Sequence, residues 1–137
     1  MKPIMTITAL AAILLALTAC QSDKKAASPA GGSGKSASLR TMEQVAIAAH
    51  KCWIASKDAD FAGYSMANEL NSFSGTPRFL LVPKKNYGGK PLLVVQARGN
   101  SSQVEVFGPL TSESLGGRIN SDIDRWKGGD NSCGAAA

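Results

Sequence analysis

The chain has 137 residues, 44% of them hydrophobic and 18% charged, with three cysteines and one histidine, a size that allows one modest core and no second domain. The formal net charge is +5, but without Lys2, Lys24, Lys25, Lys35 and Asp23, which fall outside the part expected to fold, 11 Lys and Arg stand against 9 Asp and Glu, a net +2. With no Lys/Arg-rich run interleaved with aromatics, these numbers exclude nucleic acid as a partner.

Met1-Lys2-Pro3 is a short basic start, and residues 4–19 form an uncharged apolar run. About 16 residues fall short of the roughly 20 needed for a bilayer span. Residues 1–19 are therefore read as a secretory signal peptide. The run ends in Leu17-Thr18-Ala19-Cys20, an aliphatic residue and two small ones directly before a cysteine. In these four residues the chain resembles bacterial lipoprotein precursors. The resemblance covers about the first 20 residues and implies nothing about the fold that follows. It implies cleavage before Cys20, a thioether-linked diacylglycerol on its sulfur, and acylation of the new amine. Two or three acyl chains, at about 0.8 kcal/mol per buried methylene, hold a protein stably where one is marginal. Gln21 stands where an inner-membrane lipoprotein carries Asp. That implies the outer membrane, with the domain in the periplasm or at the cell surface.

Residues 20–38 are read as the lipidated cysteine and a flexible linker, rich in Ser, Ala, Gly and Lys. Such a segment spans about 24 Å on root-mean-square average, which keeps the domain near the membrane face. Gly32-Ser33-Gly34-Lys35-Ser36 imitates the end of a phosphate-binding loop, but Pro29 stands where that motif needs glycine, and no strand precedes it.

Residues 39–137 are expected to form a single α+β domain. Leu39, Met42, Val45, Ala46, Ala49, Cys52 and Trp53 recur at helical spacing, predicting a helix over 40–56, with Thr41 and Gln44 as a capping box. Phe61, Tyr64, Met66 and Leu70 keep no clean period; a strand over 63–70 is the favoured reading. Residues 78–82, between Pro77 and Pro83, and 91–97, opening on Pro91, are short apolar runs, and 103–107 alternates, so three further strands are expected. A second helix opens at Thr111 or Ser112 with Leu115, Ile119, Ile123 and Trp126 inward; Gly116-Gly117 should weaken its first turn and Gly128-Gly129 should stop it. The resulting fold is an N-terminal helix, a three- or four-stranded antiparallel sheet and a C-terminal helix, both helices on one face of the sheet.

Cys52 and Cys133 remain once Cys20 is assigned to lipid, in a chain sent to an oxidising compartment. They are expected to form a disulfide closing about 80 residues, worth roughly 4.5 kcal/mol in the loop-entropy view. Intermolecular pairing is the alternative. The lone His50 and the two distant cysteines lack zinc spacing, and no serine sits in a nucleophile elbow, so neither enzyme chemistry nor a metal or other cofactor is expected.

Two stretches invite a binding role. Lys84, Lys85, Tyr87 and Lys90 lie in a Gly-containing loop that could meet an anionic envelope lipid or polymer, or serve only as a solvated turn guarding the sheet edge. Phe73, in an uncharged turn, could anchor a partner or fold back as a lid on the core. The leading expectation is a membrane-anchored, non-catalytic interaction module of the cell envelope, contacting an envelope protein through the free sheet face or the Phe73 turn. Binding of an anionic envelope lipid or polymer through 84–90, and inhibition of a cell-wall-degrading enzyme, are the alternatives.

Overall fold

A computed structural model describes residues 34–134. The leader, the lipidation site at Cys20 and most of the linker lie outside the described residues. Helix α1 spans Ala37–Ala49 and starts earlier than the apolar period indicated. Ser36 caps it, accepting from the Leu39 N–H (3.1 Å), while the expected Thr41/Gln44 box does not form, because both residues lie inside the helix. The Gln44 amide instead donates to the Trp126 carbonyl. Polar contacts from far along the chain hold the added turn: Ala37 N–H donates to Asn100 Oδ1 (3.0 Å), and the fully buried Ser38 donates through Oγ to the Gly99 carbonyl. The fold thus takes in the last residues of the expected linker.

α1 continues as a π-helical turn, His50–Ala55, in which Ser56 N–H reaches back five residues to the Lys51 carbonyl (3.1 Å). More residues per turn means a smaller angle between neighbours, so Cys52 and Trp53 both point inward and are buried. Lys57 ends the helix in the left-handed region (φ 58°), where its N–H meets the Ile54 carbonyl (3.0 Å). A 3₁₀ turn, Ala59–Phe61, follows.

The four strands, β1 (Tyr64–Glu69), β2 (Arg78–Pro83), β3 (Leu93–Ala97) and β4 (Val104–Phe107), form an antiparallel meander in sequence order. β1 confirms the strand reading of the ambiguous stretch. Phe79, Leu81, Leu93, Val95 and Ala97 share one face and pack with residues of both helices, including Met42, Val45, Trp53, Ile119, Ile123 and Trp126. Trp53 is central, stacked on Phe61 (4.6 Å between centroids) and edge-on to Phe79 (6.3 Å), with Trp126 at 5.0 Å. The other face carries buried Leu80 and Val82, half-buried Val94 and Phe107. The ion pair Arg78–Glu69 and the Gln96–Glu105 hydrogen bond edge it.

A second 3₁₀ turn, Pro109–Ser112, occupies the expected start of the C-terminal helix, and α2 spans Gly116–Lys127. Gly116 is a packing requirement and not the weak point expected: a Cβ there would lie 2.1 Å from the Thr111 carbonyl oxygen, whereas one on Gly117 would meet open space. Gly116→Ala is therefore expected to lose about 2 kcal/mol or more, while Gly117→Ala gains a few tenths to about 1 kcal/mol. Urea midpoints of the two variants at unchanged m should move in opposite directions. Past α2, Gly129 takes φ 98°, and the tail returns to α1, where Cys133 is bonded to Cys52 with 5.3 Å between the Cα atoms.

Candidate binding cleft and its charge network

The end of the π-helical turn, the 3₁₀ turn, the start of β1 and the start of the β2–β3 loop meet around a cleft of about 270 Å³. Trp53 and Phe61 back it, each only 1% exposed, and Lys57, Tyr64 and Lys84 complete the lining. Each cation has a backbone reason to be there. Lys57 sits in the left-handed position that ends the helix, and Lys84 N–H donates to the Gly63 carbonyl (2.9 Å), which fixes the first residue of the loop beside β1. Among the described residues neither lysine makes an ion pair.

Asp58 also lines the cleft, but its charge is committed. Arg118 binds it through one guanidinium nitrogen and binds Asp60 (2.8 Å) through another. The hydrogen bond from Arg118 holds the Asp58 carboxyl below the usual carboxylate range, against the opposing effect of burial. Arg118 also lies over the Phe61 ring, 5.2 Å from its centroid. Its Nε is buried with no hydrogen-bond acceptor, 3.7 Å from Asp122 Oδ2. Asp122 itself is buried, accepts from Trp53 Nε1–H (2.8 Å), and pairs with Arg125. What remains uncompensated in the cleft is the pair of lysines.

Of the residues singled out in the sequence, the structure joins Cys52 to Cys133 and places Lys84 in the cleft. Lys85, Tyr87 (61% exposed) and Lys90 extend outward from the same loop. Phe73 stands apart, fully exposed in the β1–β2 turn, so it is no lid on the core. His50 is exposed and shares its surface hollow with Ala46, Ile47, Asn68 and Leu70, none of them an acid or a nucleophile. Sequence reading missed Lys57, Tyr64, Arg118 and Asp122. The only available signal was Asp58-x-Asp60 directly after a helix, two acids whose partner lies about 60 residues on. Among the described residues no group of three or more His, Cys, Asp or Glu side chains could hold a metal ion, and no helix is long and apolar enough to cross a membrane.

Compared with protein-family models, with curated proteins and with solved structures, the chain matches none.

Proposed function

We propose that this protein is a lipid-anchored, non-catalytic binding module of the bacterial envelope, and that its cleft holds an anionic group of an envelope lipid or polymer. The anchor is the reading of Leu17-Thr18-Ala19-Cys20. The observation that carries the ligand class is the pair of unpaired cations, Lys57 and Lys84, in a concavity lined by Trp53 and Phe61. Its volume, about 270 Å³, is at the small end for ligand sites and suits a phosphate with a short polyol or sugar attached. The two ammonium groups supply attraction and the Tyr64 hydroxyl a directional hydrogen bond. The outer sheet face is the weaker candidate for a protein partner, because Leu80 and Val82 are already buried there and Phe107 is only 45% exposed.

Glycerol phosphate, titrated into isotopically labelled protein, is expected to shift the backbone amide signals of Lys57, Tyr64 and Lys84, with affinity falling as salt rises. Lys57→Glu with Lys84→Glu should weaken binding about tenfold per reversed lysine, the worth of roughly 1.4 kcal/mol each. Lys85→Glu, outside the cleft, should cost less. Binding that is unchanged in the double variant would rule the cleft out.

A further inference from the structure

The two ends of the sheet differ in what they can meet. Glu69 is paired with Arg78, and Arg78 with Gln96, so the β1–β2 and β3–β4 turns lie at one end. Ala97 N–H donating to the Pro77 carbonyl (3.2 Å) ties those turns together. The start of α1 is fastened to the same end by Ala37 on Asn100 and Ser38 on Gly99. There the chain enters the fold, and there Phe73 stands fully exposed. Its turn, Asn71-Ser72-Phe73-Ser74-Gly75-Thr76, carries no charge. It is braced internally, with Gly75 N–H on the Ser72 carbonyl (3.1 Å) and Ser72 Oγ on the Thr76 carbonyl (3.0 Å). The lysine loop and the cleft lie at the opposite end, about 17 Å away along β2.

An aromatic ring held out of an ordered turn that itself carries no charge suits the headgroup level of a bilayer. We infer that Phe73 is a second membrane contact, docking the β1–β2 turn on the bilayer that carries the anchor and turning the cleft away from it, toward a polymer or a facing membrane that presents the anionic group. The inference rests on the anchor at Cys20 proposed above and adds an orientation. Thirteen residues separate Cys20 from Gly34, and the chain from the anchor joins the domain at the Phe73 end. The end where the chain enters is thereby kept nearest the lipid. Contact by Phe73 is intramolecular once the chain is anchored, so one weakly binding side chain is enough.

The test uses the full chain with Phe73→Trp, purified from membranes with its lipid and placed in phosphatidylethanolamine/phosphatidylglycerol vesicles, with and without brominated acyl chains. Trp53 and Trp126 are buried and stay out of reach of bromine. The introduced tryptophan is expected to shift to the blue and lose most of its emission to brominated lipid, while a Tyr87→Trp protein loses none. Flotation with the vesicles reads the anchor separately. A chain that does not float overturns the anchor and this inference together; one that floats with position 73 unquenched overturns the inference alone. Equal quenching at 73 and 87 overturns the orientation, and a photo-crosslinker at 73 that captures protein and no lipid overturns the choice of partner.

Discussion

Replacing Cys52 and Cys133 together by alanine is expected to lower stability by about 4 kcal/mol. The bond spans 81 residues, and opening a loop of that length returns about 4.5 kcal/mol of conformational freedom to the unfolded chain. Native contacts give little of it back. Cys52 is nearly inaccessible, so alanine leaves a void of only one sulfur, and Cys133 is exposed. The tail keeps other holds after the bond is gone: Ser132 O accepts from Trp126 Nε1–H (2.9 Å) and from Arg125 Nε–H (3.0 Å), and Lys51 reaches Asn131 O (3.3 Å). Equilibrium unfolding in urea, oxidised parent against double variant, reads the difference. Because a single domain of about 100 residues has only about 5–15 kcal/mol in all, the variant should lie close to marginal at 37 °C. A loss under about 1 kcal/mol would mean that the unfolded chain gains little from being released.

Asp122→Ala should cost nearly as much, about 3–5 kcal/mol, by a different route. The carboxylate accepts the Trp53 indole N–H in the core and faces Arg118 and Arg125 from the α2 side. Removing it leaves a buried donor unanswered and two guanidinium groups with one fewer counter-charge. Arg118 already has a buried Nε without an acceptor, so nothing nearby can take up the loss. Asp122→Asn, which keeps one carbonyl oxygen for Trp53, should recover part of the stability. A Tm lower by roughly 15 °C or more in the alanine variant, with a partial return in the asparagine variant, is the expected pattern. Equal losses in both would show that the charge matters and the indole hydrogen bond does not.

Most of the fold was legible because its signals are local. Pro77 and Pro83 bracket the apolar run that became β2, Pro91 opens the one that became β3, and the stripe Ile119, Ile123, Trp126 keeps the helical period. The disulfide followed from counting cysteines. What escaped was set by partners far along the chain. The start of α1 depends on Gly99 and Asn100, and Arg118 is locked to acids about 60 residues before it. Asp122 defied residue-type expectation, since an acid in an α2 stripe reads as wet until Trp53 and two arginines are known to surround it. The cleft was illegible for the same reason: Lys57 and Lys84 meet only through the packing of the π-helical turn on β1. Lys84 alone was visible, as part of a basic loop.

The placement of the disulfide has a consequence for how each copy of the chain matures. Every strand pairs only with a neighbour in sequence, so none of the pairings that build the sheet calls on residue 133. The covalent link thus closes the longest loop of a fold whose sheet contacts are all short-range. A copy interrupted anywhere before residue 133 keeps a reactive sulfur on its first helix, a chemical mark that distinguishes the incomplete from the complete.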